Sequence, residues 1–133
     1  MNWFLAKTEP TTYSIDDLER DKSTVWDGVR NPQAVRAIRE MQPGDKVFVY
    51  HSGGQSAIVG IAQVVSEPRD DPKDSKSAVI ELAFDRKLDA PVTLAEIRAA
   101  NLFADWALVR QPRLSTMKVP EGFVKWMRGE GHI

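Results

Sequence analysis

Cysteine is absent from this 133-residue chain, which excludes disulfides, thiolate nucleophiles and cysteine-bound zinc. Histidine is scarce. With only His51 and His132 available, a metal site would have to be built mainly from carboxylates, and no spacing suggests one. We therefore expect no metal and no cofactor. No apolar run approaches the roughly 20 residues of a membrane span, and the opening "MNWFLAKTEP" has no basic region followed by a long apolar stretch. The expected setting is cytoplasmic, with no membrane partner. An excess of charge is missing too. The 18 basic and 19 acidic residues give a formal net charge of -1, which argues against a chain held on nucleic acid by bulk charge and leaves only a local patch open.

What is present is ordinary for a globular protein: 42% hydrophobic and 28% charged residues in a length that suits one domain, residues 1–133, with a monomer favoured. "NWFLAK" (2–7) reads as a first strand that Pro10 closes. Ser14 with Asp17 forms a capping-box start to a short helix anchored by Leu18 and ending near Asp21. Asn31 and Pro32 open a second helix with Val35, Ile38 and Met41 facing the core and Arg36 and Arg39 at its edge, and "QPGD" (42–45) stops it. "KVFVYHS" and "AIVGIAQVVSE" (57–67) read as strands paired through "SGGQS", and Gly60 marks a bulge or a close backbone approach.

The charged segment "PRDDPKDSKS" (68–77) reads as a solvated loop, and "AVIELAFDR" (78–86) alternates as a half-buried strand does. Thr93 and Glu96 cap a short helix from about Leu94. "PRLSTMKV" then suggests a strand and "PEGFVKWMR" a terminal helix. The strands are too closely connected for right-handed crossover units, so the fold class expected is α+β: a small curved sheet closing into a barrel with helices against it.

Four constellations could carry chemistry. In "WDGVRNPQ" (26–33), Trp26 stands just before a helix and either packs into the core or forms a stacking wall for a flat ligand, with Asp27, Arg30 and Asn31 supplying edge hydrogen bonds. Asn31 has a second use as the helix cap. In "FVYHSGG" (48–54), Tyr50, His51 and Ser52 end a strand. Neighbours on a strand point to opposite faces, which disfavours a His51–Ser52 dyad; a histidine here satisfies a backbone group or lines a cleft. "AKTEP" offers Lys7 and Glu9, as a surface ion pair or as site residues. "RQPRLS" offers Arg110, Arg113 and Ser115, and such arginines, with Arg30, Arg36 and Arg39, could clamp phosphates. The terminal "FVKWMR" could expose Trp126 as a protein-interaction anchor, or pack it over one end of the barrel.

Taken together, "FLAKTEPTTYSIDDL", "WDGVRNPQAVRAIREMQPGDKVFVYHS", "GIAQVV" and "VRQPRLS", in this order and spacing, resemble the EVE domain of the PUA-like superfamily over nearly the whole chain. The resemblance implies a PUA-like pseudobarrel with a pocket related to that of YTH domains, in which an aromatic cage holds a flipped, modified base. It implies a non-catalytic reader of DNA or RNA, with 5-modified cytosine in DNA the leading candidate, and a pocket involving Lys7, Glu9, Trp26, Arg30, Asn31, Tyr50, His51, Ser52, Arg113 and Ser115. Thr8, Pro32 and Pro112 depart from residues frequent in that family and alter packing near the site. The alternative is an enzyme similar to the ASCH group, with Lys7, Glu9, Tyr50 and His51 as its acid–base set.

Overall fold

The computed structural model describes residues 1–133. The chain runs β1 (Trp3–Thr8), α1 (Ile15–Asp21), β2 (Ser23–Trp26), α2 (Pro32–Glu40), β3 (Lys46–His51), β4 (Ala57–Val64), β5 (Arg69–Asp71), β6 (Asp74–Thr93), α3 (Leu94–Ala99), α4 (Ala107–Arg110), β7 (Thr116–Lys118) and α5 (Glu121–Gly129). The sheet order is β2-β6-β4-β3-β1-β7, with β5 paired to β6 off this path. Every pairing is antiparallel except β1 with β3, whose parallel register sets Lys7 opposite Tyr50 and Thr8 opposite His51.

The helices start where local chemistry says they should. The Ser14 and Thr93 hydroxyls accept from the amides of Asp17 and Glu96, whose carboxylates accept from the cap amides in return. Helix α2 is capped by Asn31 and turns Ala34, Val35, Ala37 and Ile38 inward, with Met41 buried just beyond its end. These residues join Phe4, Leu5, Phe48, Ile58, Leu82 and Phe123 in one core, and each large side chain so buried contributes about 1.5–3 kcal/mol.

Long-range pairing accounts for the differences from the sequence-based expectation. Segment 68–77 is not a loop: Arg69–Asp71 pairs back onto β6, which begins at Asp74 and runs 20 residues to Thr93. The alternating stretch 78–86 is only its middle. "STVW" forms β2 because β6 supplies a partner, so Trp26 ends a strand instead of leading directly into a helix. Strand β7 covers only Thr116–Lys118 of the expected 112–119.

The β1–β3 connection runs through α1, β2 and α2, which is a crossover between parallel strands where none was expected. The sheet does not close by hydrogen bonds either. Its terminal strands on the path are β2 and β7, and α2 packs against both β6 and β7 to fill the gap. The pseudobarrel is thus an open, curved sheet plugged by a helix.

Gly60 is both a bulge site and a close approach. The β4–β6 register shifts beside it, and a Cβ there would lie 2.5 Å from Ile15 Cδ1 and 2.9 Å from the Arg86 carbonyl oxygen. Gly60→Ala should therefore push α1 off the sheet and lower stability by about 1–3 kcal/mol, the usual cost of overpacking. Urea denaturation checks this; an unchanged midpoint would show that α1 moves freely on β4.

Candidate functional site

Because β1 and β3 are parallel neighbours, the last residues of both emerge at the same end of the sheet. There Lys7 Nζ lies 5.4 Å from the centroid of the Tyr50 ring, a cation–π distance, and donates to the Pro112 carbonyl at 3.0 Å. Burial pulls the Lys7 ammonium below its ordinary value. Tyr50 itself is buried, and desolvation pushes its phenol up, with the Ser56 hydroxyl and Arg98 opposing.

Beside Lys7 opens a cleft of about 300 Å³, the lower end of the range for small-ligand sites. Its walls come from the end of β1 (Lys7, Thr8), the following turn (Thr12, Tyr13) and strand β2 with its exit (Thr24, Val25, Trp26, Asp27). Trp26 is only 8% exposed, and what remains accessible faces this cleft; Val25, 41% exposed, adds apolar surface. Tyr13 stands edge-on to Trp26, with 6.3 Å between centroids and 86° between planes.

Polar contacts hold the tyrosine in place. Its hydroxyl donates to Asp21 Oδ2 at 2.9 Å, and its carbonyl accepts from the Thr8 hydroxyl at 2.8 Å. Arg20 grips Asp21 and Asp17 in turn, at 3.0 Å each. The Asp21 carboxyl is held below its usual range by Arg20 first and then by Tyr13. Burial raises the Tyr13 phenol.

The loop leaving Trp26 turns at Gly28, whose φ of +76° is a conformation that side-chain-bearing residues rarely adopt. The buried Ser77 hydroxyl on β6 donates to the Val29 carbonyl and pins the loop. Asn31 then serves α2: its Oδ1 accepts from the amides of Gln33 (2.8 Å) and Ala34 (3.2 Å). Capping occupies that oxygen and leaves the amide nitrogen exposed. Arg30 and Arg113 are exposed and make none of the chain's salt bridges. Ser115 bonds through its backbone, accepting from the Lys7 amide at 2.8 Å.

Glu9, His51 and Ser52 face a different hollow, about 450 Å³, together with the Gly53–Gly54 turn. His51 Nε2 accepts from the Ile15 amide at 3.0 Å, so the imidazole is neutral there with its proton on Nδ1, and it caps the first turn of α1. Burial lowers its pKa, with Asp16 opposing. The acid–base set Lys7, Glu9, Tyr50 and His51 is therefore divided: Lys7 lines one cleft, Tyr50 lies beneath it, and Glu9 and His51 line the other. No three His, Asp or Glu side chains gather as a metal-binding group.

The EVE domain family model matches residues 2–129. The chain belongs to the EVE family. Thymocyte nuclear protein 1 of Rattus norvegicus is 31% identical over 125 residues, covering 73% of this EVE chain, which spans about half (55%) of the relative's length. A Rhodopseudomonas palustris protein solved by NMR superposes with a TM-score of 0.91 at 35% identity, covering 98% of this chain and 93% of that one. Human thymocyte nuclear protein 1, crystallised in complex with DNA containing 5-methylcytosine, has a TM-score of 0.89 at 22% identity and covers 100% and 99%. An ASCH protein from Zymomonas mobilis shares the fold more distantly, with a TM-score of 0.61 at 7% identity over 97% and 98%.

Among the EVE residues lining the first cleft, Thr12, Tyr13, Thr24 and Val25 are not among the sequence-based candidates. The run "TTYS" held a signal: an aromatic flanked by hydroxyls immediately before a helix cap. Thr24 had none, since β2 was not anticipated.

His51 also sets a pH dependence. Its folded-state pKa lies below the ordinary 6.5, so the unfolded chain binds the proton more readily, and the stability its neutral form provides is complete above about pH 6.5 and is lost as pH falls through the depressed value. Stability should fall as the pH drops below about 6.5, and His51→Gln, which offers Ile15 an acceptor that does not titrate, should flatten that slope. Denaturation midpoints across this range decide it; equal slopes would remove His51 as the cause.

Proposed function

We propose that the chain is a non-catalytic reader of modified bases in nucleic acid, with 5-modified cytosine in DNA as the preferred target. The observation that carries this reading is the cleft beside Trp26, where an indole and an edge-on phenol border a space of about 300 Å³, enough to admit a flat heterocycle. A base entering it would stack on Trp26, with Lys7, Asp27 and the threonine hydroxyls as donors and acceptors for its edge. Arg30 and Arg113, both exposed and close in sequence to Trp26 and to the Pro112 that holds Lys7, would meet the phosphates. The human relative bound to 5-methylcytosine DNA supports DNA as the partner. RNA with a comparable modification would present the same flat edge.

The enzymatic reading draws its support from the ASCH-like fold and from the depressed Lys7 in the cleft. Its weakness is geometric, since the proposed acid–base partners face separate hollows and His51 Nε2 is already occupied by a backbone amide.

Extracting a base from a duplex costs a few kcal/mol, so a single strand with one modified base should bind more tightly than the corresponding duplex. Stacking is worth about 1–3 kcal/mol per base, so Trp26→Ala should weaken binding of a 5-methylcytosine single strand roughly 5- to 150-fold. Tyr13→Ala should act in the same direction and less strongly. Fluorescence anisotropy of a labelled oligonucleotide measures both. Equal affinity of wild type and Trp26→Ala for modified and unmodified strands would end the proposal, and nucleotide turnover abolished by Glu9→Gln would replace it with the enzymatic one.

A further inference from the structure

Next to the Trp26 cleft lies a second depression of about 260 Å³, a furrow between α2 and β7. Helix α2 contributes Gln33, Arg36 and Glu40 to it, and the β7 side contributes Leu114, Thr116 and Lys118. The segment from Pro112 to Thr116 connects the two. Pro112 holds the Lys7 ammonium of the first through its carbonyl, Ser115 bonds the Lys7 amide, and Leu114 and Thr116 line the second. On the opposite side, the short loop pinned by Ser77 joins Trp26 and Asp27 of the cleft to the start of α2.

The charge of this region is not spent internally. Arg36 and Lys118 in the furrow, and Arg113, next in sequence to its Leu114, make none of the chain's salt bridges, whereas Arg39 on the same helix is taken by Asp70 at 2.9 Å. Glu40 is the lone carboxylate of the lining. The Trp106 indole donates to the Lys118 carbonyl at 3.0 Å and fixes the strand from which that ammonium extends. The furrow's two cations, Arg36 and Lys118, are thus both exposed and free of any internal carboxylate partner.

We propose that the α2–β7 furrow seats the sugar–phosphate backbone of the strand whose base enters the Trp26 cleft, with Arg36 and Lys118 pairing successive phosphates. The proposal rests on the reading of the cleft, and it adds the direction in which the strand leaves it. The apolar part of the lining is Ala37, Ala107, Leu114 and Met117, and since Ala37, Leu114 and Met117 are almost fully buried, an apolar partner would find little accessible surface there. A phosphate chain finds an arginine fork suited to two oxygens and a mobile ammonium within one groove.

The test compares wild type with Arg36→Ala/Lys118→Ala, two exposed substitutions whose folding is confirmed by thermal denaturation. The ligands are a short single strand carrying one 5-methylcytosine and the corresponding mononucleotide, which reaches the cleft but not the furrow. Each phosphate contact on a single strand contributes about 0.7 to the slope of log K against log salt, so the double variant should lose roughly 1.4 from the oligonucleotide slope. Its affinity for the mononucleotide should stay within twofold. An unchanged oligonucleotide slope, or equal losses on both ligands, overturns the furrow. So does a poly-glutamate peptide that competes as well as the oligonucleotide. Lys125→Ala/Arg128→Ala on α5 should leave the slope intact, and a loss there as large would also overturn it. Failure of the cleft reading shows elsewhere, as a Trp26→Ala variant that binds the mononucleotide as wild type does.

Discussion

Strand β1 is bonded along both edges, to β3 on one side and β7 on the other, and the placement of every candidate site residue near it follows from that constraint. The parallel register with β3 is fixed at its start. The buried Asp45 carboxylate accepts from the amides of Asn2 and Gln42, at 3.0 Å each, while the Lys46 amide donates to the Asn2 carbonyl at 3.1 Å. A parallel pair locked at one end must deliver its other ends together, so Lys7 arrives over Tyr50 and Thr8 beside His51. The antiparallel partner then brings Ser115, and with it the Pro112 carbonyl, to the same place. A one-residue slip would turn Lys7 to the opposite face of the sheet.

The turn after β1 turns this registration into a cavity. Glu9 accepts through its carbonyl from Thr12 and Tyr13, each at 2.9 Å, and His51 and Ser14 satisfy the free amides at the start of α1. The polar side chains here do two jobs. Thr8, which departs from the family pattern, uses its hydroxyl on the Tyr13 backbone, and Pro112 supplies only a carbonyl, which is all that Lys7 requires. Pro32 fills the first position of α2, where a missing amide hydrogen costs nothing. Of the three, only Thr8 lines the Trp26 cleft; Pro112 and Pro32 act on it through the Lys7 contact and the start of α2.

What could be read from the sequence was local in origin. Both capping boxes, the Asn31–Pro32 helix start, the inward stripe of α2 and the conflict at Gly60 depend on residues a few positions apart, and each stands where expected. Strand β2 could not be read, because four residues with only Trp26 buried carry no periodic signal until β6 pairs with them. The charged hairpin 69–77 was hidden for the opposite reason, since its composition suits a loop and only the length of β6 makes it a strand. The cleft follows the same division: Lys7 and Trp26, both singled out in the sequence, line it, but their neighbour Tyr13 depends on a fold that brings the turn after β1 against β2. Trp126, considered as an exposed anchor, packs against Phe103 and Phe123, with ring centroids 5.6 Å away in both cases.

The division of labour between the two aromatic groups bears on how the chain can combine a rigid fold with an indole that is largely buried and still borders a cleft. Phe48, Phe103, Trp106, Phe123 and Trp126 form a contiguous cluster through β3 and α5, remote in sequence from Trp26 and Tyr13. Rings packed in edge-to-face and tilted pairs contribute beyond their buried area, so that cluster can hold one end of the barrel without help from Trp26. Trp26 has a single aromatic neighbour, and that neighbour is tethered from outside by Asp21 and Arg20, both at the surface. Its remaining exposed area is therefore bordered by groups whose positions are set by hydrogen bonds, which permit an open gap where close packing would fill it. Trp26 belongs to the buried core and yet ends a strand, so most of the indole packs inward while its remaining edge borders the cleft.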